Sequence, residues 1–359
     1  MNLEEHLASP DISIEAHIAA RDRALAVSLA DKLPIYLDTR LWIMIREVRD
    51  GTSTREDERE IVRLLESLVG RGLAFCPISE PTFSEVMRQG RTDQRAATAR
   101  VIDALSCGVS ILPDTDRMVA EAETLVIGML EGKAAPSRPA AWTSLAYVLG
   151  DFYASQTAFP AEQERAIQKA FYDHMWERPL VEIVLALEPD LYCRDEQLEE
   201  QSRRLTAENA RHSASMKSFE QVLEQEFHGM AQTIVEHSDR LRTLRQMPSG
   251  LDPATVFTNV IRELLKKPDM ARAMPTAHAH AVIHTIFRWE YRDKAITQND
   301  LVDFRHASAG LSQCRLILCE RGLRNTLCHR RLPLAETHRV TVLSDRNEII
   351  AHLLGFAGR

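Results

Sequence analysis

The sequence passes from a strand to a helix within the stretch Leu33-Pro34-Ile35-Tyr36-Leu37-Asp38-Thr39-Arg40-Leu41-Trp42. An apolar run without polar alternation predicts a buried strand of a parallel sheet, here over 35–38. Asp38 closes this run, and the carboxyl ends of such strands border the crevice where open α/β sheets bind ligands. Asp38 is therefore the leading candidate for a ligand-binding residue, and it is equally suited to cap the helix that follows.

Strands and helices alternate on both sides of this stretch. Apolar residues at helical spacing predict helices over 12–31, 54–73, 81–89 and 94–105. Short apolar runs predict two further strands, Ala74–Ile78 and Gly108–Pro113. Such alternation predicts an α/β fold, with a parallel sheet flanked by helices.

The pattern changes after about residue 128, because strand-like runs vanish and helical spacing continues to about residue 292. Within this region, 195–247 reads as one or two long amphipathic helices that form a packed hairpin. The α/β pattern then returns with a helix over 299–310 and strands over 315–319 and 340–343. We therefore predict one α/β domain, formed by 1–127 and 293–359, that is interrupted by a mostly α-helical insertion at 128–292.

Composition and charge indicate where in the cell the protein is found more clearly than they indicate what it does. The 359 residues carry a net charge of −8, which argues against a protein coated in basic residues for nucleic acid. The six cysteines form no C-x-x-C pair, and no run approaches the ~20 apolar residues of a membrane span. Since the first residues also lack a basic and then apolar leader, we expect a cytoplasmic protein that does not enter a membrane.

Carboxylates follow or flank several of the predicted strands. They are Asp38, Glu85, Asp303 and Glu320. Several carboxylates at one sheet edge make a site for a hard cation such as Mg²⁺. Each also has a plainer explanation: Glu85 as a solvated helix residue, Asp303 as a first-turn residue behind an Asp300 cap, and Glu320 as a cap itself.

The order of these residues resembles that of the PIN-like nuclease superfamily. The segment 35–42 looks like its opening strand and first metal-binding aspartate, and 78–86 looks like the segment that supplies its helix-borne glutamate. The segments 303–309 and 316–320 look like its third aspartate and its closing strand. The resemblance covers 33–127 and 293–345 and leaves the helical middle unmatched.

The resemblance implies a metal-dependent endoribonuclease that hydrolyses phosphodiester bonds in single-stranded or structured RNA. Asp38, Glu85, Asp303 and Glu320 would be both the catalytic residues and the ligands of Mg²⁺ or Mn²⁺. One departure stands out, because this chain has Cys319-Glu320 where the family commonly has Thr/Ser-Asp. The helical insertion would bind a protein partner, mediate self-association or select the RNA.

Two other functions remain open on the sequence. The chain could be a catalytically weak PIN-like scaffold or regulatory protein that acts through its helical insertion. Alternatively, Arg324 and His329 match the Arg-(four residues)-His pattern of the HEPN ribonucleases, which need no metal. A third group, His278, His280 and His284 beside Glu290, is interpreted as surface or interface histidines rather than as a metal site.

Overall fold

The structure is a computed structural model that describes residues 3–132, 141–155, 158–187, 195–213, 215–243, 252–292 and 294–357. The chain divides into two compact units. Unit 1 contains Met1–Pro113, Ala140–Tyr192 and Arg346–Arg359, and unit 2 contains Asp114–Pro139 and Cys193–Asp345.

Helices account for most of the described chain. In chain order they are α1 (Leu3–Leu7), α2 (Ile14–Leu29), α3 (Thr39–Arg49), α4 (Glu56–Gly70), α5 (Glu80–Met87), α6 (Thr92–Leu105), α7 (Asp114–Leu130), α8 (Ala161–Trp176), α9 (Leu180–Ala186), α10 (Asp195–Ser213), α11 (Phe219–His237), α12 (Asp239–Arg242), α13 (Pro253–Leu265), α14 (Pro268–Ala273), α15 (Pro275–Glu290), α16 (Gln298–Gln313), α17 (Arg321–Leu327), α18 (Leu334–His338) and α19 (Arg346–Ala357). The strands are β1 (Leu33–Leu37), β2 (Ala74–Phe75), β3 (Val109–Ile111), β4 (Trp142–Ser144), β5 (Leu316–Leu318) and β6 (Thr341–Leu343).

Unit 1 contains β1 to β4. β1 and β2 are parallel, with Leu33 opposite Ala74 and Pro34 opposite Phe75. The chain after β2 continues beside β3, because Ile78 forms a parallel bridge with Ser110. β4 then pairs with β3 in the antiparallel direction, with Ser110 opposite Thr143.

The core of unit 1 forms around β1, whose residues Ile35, Tyr36 and Leu37 are fully buried. Helices cover the strands, and α4 does so with one continuous apolar face that consists of Ile61, Leu64, Leu65 and Leu68. The last helix, α19, packs on α4 and is held at both ends. Arg346 donates to the buried carboxylate of Glu58 at 2.7 Å, and Arg71 donates to the carbonyl of Ala357 at 2.8 Å.

Unit 2 combines a helical cluster with a second parallel pair of strands. β5 and β6 are parallel, with Ile317 opposite Val342. α11 packs against α13 and α15, and α7 packs against α11 and α15. Their shared core is apolar and contains Leu125, Phe227, Ile234, Phe257, Ile261 and Ala281 among others.

The α/β class predicted from the sequence is confirmed, since both units contain parallel strands flanked by helices. Most predicted elements lie within a few residues of the observed ones; the helix predicted over 299–310, for example, is α16, Gln298–Gln313. The PIN-like identity of the fold and the segmentation at 127 and 292 stay predictions.

One expectation about the middle of the chain is wrong. Strands do not vanish after residue 128, because β4 lies at Trp142–Ser144 and pairs with β3. β4 has only three residues, and two of them, Thr143 and Ser144, are polar, so it does not form the apolar run by which a buried strand is predicted. Residues 133–140, 188–194, 214 and 244–251 of the predicted insertion lie outside the described residues.

The long helices of the middle region do form, as α10 and α11. They pack on other helices: α10 on α16, and α11 on α13 and α15. Among the residues that the structure describes, no helix is both long enough and apolar enough to cross a lipid bilayer.

A buried arginine holds three helices of unit 2 together. Arg117 of α7 is 1% exposed and donates to Asp114 on its own helix. It also donates to the Thr276 hydroxyl of α15 at 3.3 Å and to the Ser308 hydroxyl of α16 at 3.1 Å. A buried charge of this kind is tolerated only because it is paired and hydrogen-bonded.

We expect Arg117→Ala to lower the free energy of unfolding by about 3–5 kcal/mol, because it removes the buried guanidinium that pairs with Asp114 and donates to Thr276 and Ser308. The matched control is Arg240→Ala, whose side chain is 64% exposed and whose loss should cost no more than about 0.5 kcal/mol. Urea unfolding followed by circular dichroism measures both. A loss below about 1 kcal/mol for Arg117→Ala would contradict this role of the buried arginine.

Candidate functional site

Asp38 lies at the turn from β1 into α3 and is 7% exposed. Its backbone is extended, and its Oδ1 accepts a hydrogen bond from the Leu41 amide at 3.0 Å. Asp38 is therefore the N-cap of α3, as one of the two predictions had it. The cap also fixes the carboxylate at the carboxyl end of a buried strand, which is where the ligand role would need it.

Glu85 lies in the last turn of α5 and is half-buried. The Thr39 hydroxyl donates a hydrogen bond to Glu85 Oε2, so this glutamate is not the solvated helix residue of the plainer explanation. Thr39 directly follows Asp38 in the chain. The structure thus brings the two candidate carboxylates of unit 1 to the same strand end, joined by one residue.

Asp303 and Glu320 belong to unit 2 and are both exposed. Asp303 lies on α16, whose N-cap is Thr297, with Asp300 accepting hydrogen bonds from Thr297 in a capping box. The expectation that Asp300 is the cap is therefore wrong, although Asp300 does stabilise this helix end. Glu320 occupies the N-cap position of α17 without a side-chain capping bond.

The elements that carry Asp303 and Glu320 pack against each other, because α16 contacts both β5 and α17. Each unit thus contributes two candidate carboxylates next to a parallel strand. A single ion shared by Asp38, Glu85, Asp303 and Glu320 stays a prediction.

Asp114 is another carboxylate close behind a predicted strand, although it is not one of the four candidates named from the sequence. Asp114 follows β3 by three residues and begins α7. Its two oxygens meet Arg117 and His280. Burial opposes ionisation, but the charges of Arg117, His280 and Arg305 hold the pKa of Asp114 well below its usual range. We infer that Asp114 is an ion-pair partner rather than a metal ligand.

The histidines of α15 are partly buried and contact neighbouring side chains, so of the predicted surface or interface positions the surface one is wrong. His284 packs against the ring of Phe304 and lies 3.7 Å from Glu226, and His278 Nδ1 lies 3.0 Å from His338 Nε2. His280 meets Asp114 instead. The three imidazoles therefore have three different partners and do not converge on one ion.

Two imidazoles and a carboxylate do converge in unit 1. His6 and His17 both contact the carboxylate of Asp173, and the three ligand atoms lie within 4.8 Å of one another. This group cannot be recognised from sequence spacing, because Asp173 is 156 residues from His17. No local spacing marks such a long-range contact.

The HEPN-like pattern lies at the end of α17. His329 Nε2 is 2.9 Å from Glu290 Oε1, and this pair borders a cavity of about 690 Å³. The cavity is also lined by Asn325, Cys328, Arg330 and Arg331. A histidine that is oriented by a carboxylate can act as a general acid or base, and two neighbouring arginines can bind a phosphate.

No protein-family model, no curated protein and no solved structure matches this chain. The resemblance to PIN-like nucleases therefore depends on the quoted segments alone.

We expect acidification to destabilise the protein through His278 and His284. Burial lowers the pKa of His278 to about 4, and burial with the charges of His280 and Arg288 lowers the pKa of His284 to about 3. In the unfolded chain the pKa of each histidine is about 6.5. Their contribution is therefore fully present above pH 6.5 and is lost as the pH falls towards 4, where only the unfolded chain takes up the protons.

Urea unfolding at pH 7, 6 and 5 measures this loss, with a slope approaching about 1.4 kcal/mol per pH unit for each histidine. His284→Gln should lower the slope of unfolding free energy against pH by up to about 1.4 kcal/mol per pH unit, which is the contribution of one proton. The exposed control His237→Gln should leave this slope unchanged. An unchanged slope in His284→Gln would refute the assignment.

Proposed function

We propose that the protein is a metal-dependent endoribonuclease of the PIN-like kind. Its catalytic carboxylates are Asp38, Glu85, Asp303 and Glu320, and its cofactor is Mg²⁺ or Mn²⁺. One observation carries the proposal: Asp38 is fixed at the end of β1, and the neighbouring Thr39 hydroxyl binds Glu85. Two of the four carboxylates predicted in sequence order are thus beside one strand end.

The donor set fits a hard cation. Asp38 and Glu85 offer carboxylate oxygens, which Mg²⁺ and Mn²⁺ prefer over nitrogen or sulfur. Mg²⁺ needs only one or two direct carboxylates and keeps several waters, so outer carboxylates can act through those waters. We propose this part for Asp303 and Glu320, which are exposed.

Each residue has a defined part in the hydrolysis. Asp38, held by its capping bond, keeps one carboxylate at a constant position without rearrangement during the reaction. Thr39 orients Glu85, which would hold the ion together with Asp38. A bound Mg²⁺ or Mn²⁺ would supply a lowered pKa for the attacking water and a positive charge for the phosphate. The water gives its proton to solvent, its oxygen bonds to phosphorus as the bond from phosphorus to the 3′-oxygen breaks, and the 3′-oxygen takes up a proton from solvent.

The departure at Cys319-Glu320 affects how firmly the ion would be held. A glutamate has a longer side chain than an aspartate, and Cys319 is buried and lacks the hydroxyl that would orient a neighbouring carboxylate. In this chain an orienting hydroxyl is present at a different carboxylate, because Thr39 donates to Glu85. We therefore propose that Asp38 and Glu85 are the main ligands.

We expect cleavage of a labelled single-stranded RNA in Mg²⁺ or Mn²⁺ and none in chelator. Asp38→Asn keeps a capping side chain and should fold, yet its rate should fall about 100-fold or more, because it loses a charged metal ligand. The matched control is Asp50→Asn, an exposed aspartate at the opposite end of the same helix, which should retain full activity. A purified chain that cleaves no RNA in either metal would favour the scaffold alternative.

A second candidate is a metal-independent ribonuclease at His329. The hydrogen bond from His329 to Glu290, in a cavity with Arg330 and Arg331, favours it. The same RNA assay separates the two proposals, because activity that survives chelator and Asp38→Asn but not His329→Ala would belong to this cavity. Activity that His329→Ala leaves intact would exclude it.

A further inference from the structure

Three helices of unit 1 bring two imidazoles and a carboxylate together. His6 lies on α1, His17 on α2 and Asp173 on α8. His6 Nε2 is 2.9 Å from Asp173 Oδ2, and His17 Nε2 is 2.8 Å from Asp173 Oδ1. Each ring nitrogen therefore approaches a different oxygen of the same carboxylate.

We propose that His6, His17 and Asp173 bind a transition-metal dication that accepts imidazole nitrogen, with Zn²⁺ as the representative ion. The proposal is independent of the ribonuclease activity, because it concerns other residues and a different class of metal.

The distances suit such an ion. Zn²⁺ binds imidazole nitrogen and carboxylate oxygen at about 2.0–2.2 Å, so neighbouring ligand atoms lie roughly 3–4 Å apart around it. The three ligand atoms here are within 4.8 Å of one another, and small side-chain rotations bring them into that range. The ring nitrogens would bind as lone pairs, with each ring proton carried on Nδ1.

The group is also accessible. The side chains of His6, His17 and Asp173 are 10%, 17% and 24% exposed, so they are largely ordered by packing yet open to a small ion. Two histidines and one carboxylate are three protein ligands, which leaves at least one position for water. That number is typical of zinc sites with an open position.

One charge beside the group opposes a cation. Arg21 donates to Asp173 Oδ1 at 2.9 Å, and this fixed positive charge weakens the attraction for a dication.

Ligand type separates this site from the proposed ribonuclease centre. Imidazole suits Zn²⁺, whereas Mg²⁺ prefers oxygen ligands and dehydrates reluctantly. An ion at this position would also link α1 to α2 and α8. α1 has only five residues, so its packing on α8 depends strongly on the contact of His6 with Asp173.

We expect the full-length chain, stripped with chelator, to bind one Zn²⁺ at this group. Calorimetric titration should show saturation at one ion, and Zn²⁺ at 100 times its Kd should raise the Tm by about 5 °C. Mg²⁺ at the same concentration should not raise the Tm of the Asp38→Asn variant, in which a proposed Mg²⁺ ligand is removed. Co²⁺ in place of Zn²⁺ should give visible absorption bands that report nitrogen and oxygen ligation.

Variants locate the ion. His17→Gln and His6→Gln should each weaken Zn²⁺ binding at least tenfold, whereas His352→Gln, a half-buried histidine of α19 in the same unit, should not. Arg21→Gln should tighten binding, because it removes the nearby positive charge. It also keeps the proposal testable if a ligand variant fails to fold.

The proposal is overturned if the wild-type chain shows no saturable Zn²⁺ binding, or if binding persists unchanged in His17→Gln and His6→Gln. RNA cleavage should be insensitive to both substitutions. Loss of Zn²⁺ binding with full RNA cleavage supports this site alone, and loss of cleavage in Asp38→Asn with normal Zn²⁺ binding supports the ribonuclease centre alone.

Discussion

The hydrogen bond from the Leu41 amide to Asp38 Oδ1 is the constraint on which the candidate site depends. It ends β1, begins α3 and holds a charged group at the carboxyl edge of a buried strand. A capping aspartate contributes about 1 kcal/mol to a helix, so the same residue serves folding and the proposed chemistry. Thr39 extends the constraint, because its hydroxyl fixes Glu85 on a different helix.

Buried polar groups elsewhere in the chain divide into two kinds. Arg117 is enclosed by Asp114, Thr276 and Ser308 and is 1% exposed, which leaves no route for a ligand. The side chain of Asp173 is 24% exposed although both of its oxygens are engaged by histidines. Arg117 therefore stabilises unit 2, whereas the cluster at Asp173 is open enough for an ion to reach.

The sequence predicted those features that depend on neighbours in the chain. The apolar run at β1 and the aspartate that caps α3 are both local patterns. The strand predicted at 35–38 lies at Leu33–Leu37, and Asp38 is the cap of α3 as predicted. β4 was not predicted because it has only three residues and includes the polar Thr143 and Ser144, so it is not an apolar run. The group at His6, His17 and Asp173 was missed because its members meet only through the packing of α1, α2 and α8. Asp114 could have been found, since it follows β3 as Asp38 follows β1.

The most direct test of the proposed catalytic centre is the position of Mn²⁺ in crystals of the full chain, located by anomalous diffraction. The account predicts a Mn²⁺ peak within about 2.2 Å of a carboxylate oxygen of Asp38 or Glu85, with Asp303 and Glu320 bound directly or through water. Crystals of the Asp38→Asn variant should lose that peak. A Mn²⁺ ion bound only elsewhere, or no bound ion at a saturating concentration, would contradict the account.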